Sequence, residues 1–198
     1  MDLDGLAEAS CEHQVAAIDE ILRADPVLDL LLDVLETLPL PDWYVGAGAV
    51  AAAVWNHRFG LPPGTAVRDY DVVYYDPADL SAERERAVEL AVQAVVGENV
   101  AIDVTNEARV HLWYGERFGR SIPQYASSQA AIATWPSTAT SVGVRRSGGR
   151  LEVYAPHGLR DLLLGVVRPN RTLVTREVYE AKATRWRNAW PSLTVIPW

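Results

Sequence analysis

Two aspartates separated by a single residue, Asp69 and Asp71, lie in a run of β-forming residues at positions 68–75. Side chains alternate between the two faces of a strand, so both carboxylates are predicted to project from one face, with Tyr70 on the other. Two ionised carboxylates on one face repel each other unless a cation neutralises them. Mg²⁺ and Mn²⁺ take oxygen ligands, and Mg²⁺ is commonly shared between carboxylates and substrate phosphates, so the pair predicts a divalent-metal site. The alternative is two solvent-exposed acids at the start of a strand.

A third carboxylate, that of Asp103, lies in the next predicted strand, at 100–104. Ile102 and Val104 share one face of that strand and Asp103 points the opposite way. It is therefore a candidate to join the aspartate pair from a neighbouring strand. The alternative is an ordinary solvent-facing acid.

A glycine turn, Gly46-Ala47-Gly48-Ala49, stands between a short apolar run and an alanine-rich segment that predicts a helix ending before Gly60. Backbone N–H groups and the helix N-terminus at such a turn form an anion site that suits phosphate. The alternative is a tight turn with close backbone packing. The same residues also fit a GxGxxA dinucleotide-binding turn, which leaves an oxidoreductase open as an alternative function.

Charge is distributed unevenly along the chain. The net charge of −8 argues against whole-surface affinity for nucleic acid. Residues 1–142 contain 8 Lys+Arg and 22 Asp+Glu, giving −14, whereas residues 143–198 contain 10 and 4, giving +6. We therefore expect part of this basic half, above all arginines within 145–187, to border the acidic site and to face a triphosphate. The alternative, a solvated basic face, applies equally to the cations of the helix predicted at 175–189, which are Arg176, Lys182, Arg185 and Arg187.

Cys11 is the only cysteine, which excludes an internal disulfide framework and fits a reducing cytosol. The N-terminus opens with acids instead of a signal-peptide pattern, and no apolar stretch is long enough to span a membrane. We therefore expect a cytoplasmic protein without a membrane partner. The four histidines show no metal-ligand spacing, which leaves zinc without support.

The order of the predicted helices and strands that position these residues indicates an α+β (layered α/β) protein. Its helices are expected to pack on a small mixed sheet that includes the aspartate-bearing strand. Residues 1–40 read as a helical N-terminal extension. Residues 41–125 form a core that carries the glycine turn and the acids. Residues 126–198 form a basic C-terminal part with a hairpin and further helices. We predict a single domain over the whole chain.

Taken together, these segments resemble the polymerase-β-type nucleotidyltransferases, in which a glycine turn opens a helix, a strand carries Asp-x-Asp and a later strand carries a third acid. More narrowly, the chain is similar to a family of bacterial nucleotidyltransferase-like proteins of unknown function. That similarity covers roughly positions 40–198 and includes the segments at 45–55, 69–75, 106–111, 135–145, 155–162 and 190–191.

The resemblance implies a metal-dependent enzyme that transfers a nucleoside monophosphate from an NTP to an acceptor and releases pyrophosphate. It implies that Asp69, Asp71 and Asp103 are the catalytic carboxylates and bind Mg²⁺ or Mn²⁺, and that Asp103 can also deprotonate an acceptor hydroxyl. Nucleotide contacts are expected from Gly46, Ala47, Gly48, Ala49, Arg68 and Arg109. The acceptor, whether small molecule, protein or RNA, is not specified.

Three residues qualify this expectation. Ala49 stands where the superfamily usually has serine, so a hydroxyl that would touch a phosphate is missing. Glu107 replaces the glutamine usual in the narrower family. For Arg109 the alternative is an ion pair with a buried acid. A non-catalytic nucleotide-binding or regulatory protein on the same fold therefore stays open.

Overall fold

The computed structural model describes residues 1–198. The predicted α+β class, with helices packed on a small mixed sheet, is confirmed. No helix in the chain has the length and apolar character needed to cross a membrane. The elements are α1 (Leu3–Leu6), α2 (Cys11–Arg23), α3 (Pro26–Thr37), β1 (Tyr44–Gly46), α4 (Ala47–Phe59), β2 (Tyr70–Tyr74), α5 (Ala82–Val96), β3 (Ile102–Asn106), α6 (Val110–Phe118), α7 (Ser128–Ile132), β4 (Gly143–Ser147), β5 (Arg150–Tyr154), α8 (Arg160–Leu164), β6 (Val166–Val167), α9 (Arg176–Ala189) and β7 (Thr194–Val195).

The central sheet contains five strands in the order β3-β2-β1-β4-β5, and β6 and β7 form a separate two-stranded sheet. β2 and β3 are parallel, whereas β1 is antiparallel to both of its neighbours. The register pairs Gly46 with Asp71 and Asp71 with Asp103. The glycine turn and two of the three acids therefore lie side by side on three successive strands.

This topology corrects one alternative. A dinucleotide-binding turn belongs to a right-handed crossover between parallel strands. Here α4 follows β1 and leads to β2, but β1 and β2 are antiparallel. The oxidoreductase alternative is therefore wrong, although the GxGxxA spacing by itself fits it.

The predicted N-terminal helices form, and their starts follow from the sequence. Asp25 caps α3 by accepting hydrogen bonds from the backbone N–H groups of Val27 and Leu28, and Pro26 occupies the first helical position. On the same helix, Asp29 and Asp33 pair with the buried guanidinium of Arg146 from β4. The N-terminal extension is thereby joined to the sheet by charge as well as by apolar packing.

The hairpin of β4 and β5 lies in the part assigned to 126–198, so the sheet extends beyond the predicted core of 41–125. Its turn uses Gly148 and Gly149, whose φ values of 59° and 71° favour glycine. One hydrophobic core contains side chains from Leu3 to Leu193. Both extensions therefore share their core with the central sheet.

Helix α9 is held against α4 by tryptophans. Trp55 makes edge contacts with Trp186 and Trp190, at ring-centroid distances of 6.0 and 5.2 Å. The indole N–H of Trp190 donates to the side-chain oxygen of Asn56 over 2.8 Å. These contacts fix α9 beside the first helix after the glycine turn, so the exposed side of α9 can bound a site at that turn.

Candidate active site

A cavity of about 450 Å³ lies where the glycine turn, β2, β3, α6 and α9 meet. Asp69, Asp71 and Asp103 all line it, as do Ala47 and Gly48. The structure therefore brings together the three carboxylates and the turn that the sequence singled out. Asp69 and Asp103 are exposed, whereas Asp71 is partly buried between them.

Strand alternation explains how the carboxylates share one face. Asp69 and Asp71 are two residues apart, and Asp71 is the register partner of Asp103 on the parallel neighbour β3. Residues in register on adjacent strands project to the same side of a sheet. Because helices α3 and α4 cover apolar side chains of the sheet, the polar side faces the cavity.

The pKa values show that these carboxylates interact. Burial, followed by the charges of Asp69 and Asp103, raises the pKa of Asp71 to about 7. Lys182 and the backbone N–H of Gly48 act in the opposite direction. Burial, followed by Asp69 and Glu89, also raises the pKa of Asp103. Crowding of the acids therefore disfavours their joint ionisation when no cation is present, as expected for neighbouring carboxylates.

The donor set fits a metal that arrives with its substrate. No group of three or more His, Cys, Asp or Glu side chains in the chain is arranged to hold a metal ion by itself. The three aspartates do not form a preformed metal cluster by themselves, and a metal site built from all three stays a prediction. Mg²⁺ is usually held by one or two carboxylates together with phosphates and water, and Asp69 and Asp71 supply that number.

Four cations face the acids across the cavity. Lys182 and Arg185 come from α9, Arg117 from α6, and Arg120 from the segment after it. None of the four takes part in a salt bridge. Their charge is therefore available to an anion. The expectation that part of the basic half borders the acidic site is confirmed by Lys182 and Arg185, although Arg185 is the only arginine within 145–187 that lines the cavity.

The other two cations of α9 follow the alternative. Arg176 pairs with Glu180 on the surface, and Arg187 lines a different depression. Arg117 and Arg120 were not singled out from the sequence, because that stretch reads as irregular. Two features of the sequence could have pointed to the cations of the cavity. Trp113, Arg117 and Arg120 have helical spacing, and Lys182 is the only lysine of the chain.

The four turn residues have different environments. Gly46 has an extended backbone, and a Cβ there would lie 2.4 Å from Cη2 of Trp135 and 3.1 Å from the carbonyl oxygen of Val142. Ala47 has a left-handed φ of 49°, and its N–H donates to the Val142 carbonyl over 3.3 Å. Gly46 therefore provides close packing, and the N–H of Ala47 is already bonded.

Gly48 lines the cavity, whereas Ala49, the expected site of the missing hydroxyl, does not. Ala49 is fully buried in the hydrophobic core and does not line the cavity, so a hydroxyl at that position would not face a phosphate. Gly48 lines the cavity, and a Cβ built on it would meet nothing within 4 Å. Position 48, and not 49, is therefore where a side-chain hydroxyl would face the cavity, and Ala49 lies outside the cavity lining.

Replacing Gly46 by alanine is expected to lower the free energy of unfolding by about 1–3 kcal/mol, because the added methyl group displaces the Trp135 ring. Thermal melts measure the loss of stability. Gly48→Ala is the matched control, since its methyl group enters open space and adds helix propensity. Equal stability of the two variants would contradict the packing role of Gly46.

The two arginines predicted to contact nucleotide lie outside this cavity. Arg109 is committed to α5, because its guanidinium pairs with Glu85 and donates to the carbonyl of Leu80 over 2.9 Å. The alternative of an ion pair with a buried acid is therefore what the structure shows. Arg68 is exposed and lines a smaller neighbouring cavity of about 250 Å³, which shares Gly48 and Asp69 with the larger one.

Comparisons with known proteins agree with this geometry. A sequence model described as "Nucleotidyltransferase" matches residues 33–195. An NMR structure that reveals a CCA-adding enzyme head domain aligns with a TM-score of 0.76 and 23% identity, over 99% of this chain and 100% of that chain. The Thermotoga maritima CCA-adding enzyme complexed with tRNA aligns with a TM-score of 0.56 and 17% identity, over 90% of this chain and 42% of that chain. A search of curated proteins finds no significant match. The predicted polymerase-β-like fold is confirmed.

Proposed function

Because the chain belongs to the nucleotidyltransferase family, we propose that it transfers a nucleoside monophosphate from an NTP to a hydroxyl-bearing acceptor and releases pyrophosphate, with Mg²⁺ or Mn²⁺ as cofactor. The family places the protein among enzymes of nucleotidyl transfer, as the sequence predicted. The observation that carries the finer proposal is the opposition, within one cavity, of three carboxylates and four unpaired cations.

Asp69 and Asp71 would hold the metal, since two carboxylates and the phosphates complete its shell. When bound, the metal supplies positive charge to the phosphates and to the oxygens that attack and leave. Lys182 and Arg185 face the same space from α9 and are suited to bind the remaining phosphate oxygens. These cations would stabilise the negative charge that develops on the leaving pyrophosphate.

Asp103 is suited to accept the proton of the acceptor hydroxyl. Its raised pKa brings the carboxylate closer to the operating range of a general base. It is exposed at the edge of the cavity, so an acceptor can reach it. Once Asp103 has accepted this proton, the acceptor oxygen can attack the α-phosphorus as the pyrophosphate departs.

The acceptor is proposed only by class. The similar Thermotoga maritima enzyme is complexed with tRNA, and an RNA 3′ hydroxyl is one candidate here. The net charge of −8 favours local contact through Arg117 and Arg120 over binding along the surface. A small molecule or a protein hydroxyl is the other candidate.

The experiment is to incubate the protein with each α-labelled NTP and Mn²⁺ in the presence of RNA, protein or metabolite fractions, and to measure label transfer and pyrophosphate. We expect label in one fraction together with equimolar pyrophosphate, and loss of both in an Asp69→Asn/Asp71→Asn variant. Label transfer that persists in that variant would contradict the proposal.

A non-catalytic nucleotide-binding protein is the second candidate, and the observation in its favour is the missing side chain at Gly48. This alternative predicts saturable NTP binding with Mn²⁺ but no label in any fraction. Gly48→Ser then adds a hydroxyl in open space beside the acids. Transfer that appears only in Gly48→Ser would establish that the natural chain is a binding protein.

A further inference from the structure

The carboxyl group of Glu107 is buried without a protein partner. Glu107 is 5% exposed, follows directly after β3, and lines the cavity. Its backbone N–H continues the ladder by donating to the carbonyl of Tyr74 over 2.8 Å. Its carboxyl oxygens are not among the fully buried polar atoms without a partner, so they open onto the cavity.

Several polar side chains near Glu107 along the chain or in the cavity wall hydrogen-bond to other groups. The Asn106 amide donates to the carbonyls of Asp76 and Asp79. The Arg109 guanidinium pairs with Glu85. Thr134 Oγ1 donates to the carbonyl of Ala131, so at 2.9 Å it accepts the hydroxyl proton of Tyr125. Glu107 lines the cavity, so a ligand in the cavity can supply the hydrogen bonds that its carboxyl lacks.

The position of Glu107 relative to the acids is set by β3. Asp103 and Thr105 are two residues apart in β3, and Glu107 follows two residues later, just after the strand ends. All three line the cavity, as expected for residues that share one face. At about 3.3 Å per residue, Glu107 lies about 13 Å along the strand from Asp103. That separation is comparable to the span from the phosphates of a nucleotide to the far edge of its base.

The cavity wall also suits a planar ring. Trp113, Tyr114, Tyr125 and Trp135 line it, and the rings of Trp113 and Tyr114 lie 6.2 Å apart. Aromatic side chains provide faces on which bases stack. Phosphate-binding groups and an aromatic wall with one unpartnered carboxyl are therefore both present in the same cavity.

We propose that Glu107 is the base-reading residue of this cavity, and that its carboxyl hydrogen-bonds to the edge of the nucleobase while the phosphates lie at the glycine turn and the aspartate pair. This inference rests on the proposed function, because it takes the ligand to be an NTP. Burial, followed by Asp71 and Glu85, raises the pKa of Glu107 to about 8. At neutral pH the group then presents a donor and an acceptor together, as a glutamine would.

The test compares the affinities of the four NTPs with that of inorganic tripolyphosphate, all with Mn²⁺, by calorimetry. Wild type is expected to bind one NTP at least tenfold more tightly than tripolyphosphate. Glu107→Leu is expected to lower that NTP affinity about 10- to 100-fold while tripolyphosphate affinity stays within twofold, because a good base contact contributes about 1–3 kcal/mol. Glu107→Gln keeps a donor and an acceptor and should stay within about threefold of wild type.

Glu98→Leu, which removes an exposed carboxyl outside the cavity, is the control and should bind as wild type does. The inference is overturned if NTP and tripolyphosphate bind and Glu107→Leu leaves their ratio unchanged. If neither binds to wild type, the proposed function itself fails and this inference falls with it. Thermal melts of Glu107→Leu and Glu107→Gln show that both variants are folded.

Discussion

Replacing Asp71 by asparagine is expected to stabilise the metal-free protein at pH 8 and to abolish metal-dependent nucleotide binding. Burial and the neighbouring charges raise the pKa of Asp71 from its ordinary value of 3.8 to about 7. Between these values the folded chain holds a proton that the unfolded chain releases, so wild-type stability falls as pH rises. The loss amounts to about 2–4 kcal/mol after allowance for partial exposure, or roughly 5–10 °C in melting temperature.

The variant lacks this titration, so its advantage should be largest at pH 8 and should vanish near pH 4. Glu107 contributes in the same direction: the charge of Asp71 helps to raise its pKa, so Asp71→Asn lowers the pKa of Glu107 and this change adds to the stability gained at pH 8. Thermal melts across this range, with calorimetry of ATP and Mn²⁺ binding, measure both effects. Glu116→Gln changes the charge equally at an exposed position outside the cavity and serves as control. Equal gains in stability from metal and nucleotide in wild type and Asp71→Asn would show that Asp71 is not a ligand.

Lys182→Met is expected to lower kcat/KM for nucleotidyl transfer by about 100-fold, because a cation aimed at developing charge in a partly enclosed site typically contributes about 10²–10³. Lys182 lies in the cavity, interacts with Asp71 and Asp69, and has its pKa lowered, first by burial and then by Arg185. Methionine preserves the length of the side chain without the charge. The measurement is the rate of pyrophosphate release at several NTP concentrations.

Arg187→Met is the matched control, since it removes a cation from the same helix outside the cavity. A second readout uses the fact that Lys182 is the only lysine of the chain. An amine-reactive reagent can therefore label only Lys182 and the N-terminus, and NTP with Mn²⁺ should protect Lys182 alone. Rates of Lys182→Met within threefold of wild type, or labelling that is insensitive to NTP, would contradict a phosphate contact.

The acidic part of the site could be predicted because its signals are local. Asp71 lies in β2 and Asp69 just before its first residue, so alternation along this segment predicts that both project to one side, and Asp71 meets Asp103 once the two adjacent strands pair. The cations could not be assigned in the same way. Arg117 and Lys182 lie on helices whose orientation depends on tertiary packing, and the sequence left a solvated face as an equal alternative for α9.

The fold was predicted where periodicity was clear and less well where it was not. Helix α3 is apolar on most sides, so its sequence does not fix which side is buried: Leu28, Leu31, Leu32 and Leu35 are buried, whereas Leu30 is 42% exposed. Helix α6 begins only at Val110, four residues after Asn106, whose side chain bonds to the backbone of residues 76 and 79. Such long-range hydrogen bonds are invisible to a local pattern.

The central position of β1 has a consequence for the order in which the molecule assembles. β1 pairs on one side with β2 and on the other with β4, where Val45 is the register partner of Val144. About 100 residues separate these two valines in the sequence, so the chain loses conformational entropy when it brings them together. Pairings of such high contact order slow folding. A nascent chain that has emerged only through β3 holds the three clustered carboxylates but not Lys182 and Arg185 of α9. We therefore expect NTP affinity to arise late, together with the slowest folding phase, so that the unfinished chain does not trap nucleotide.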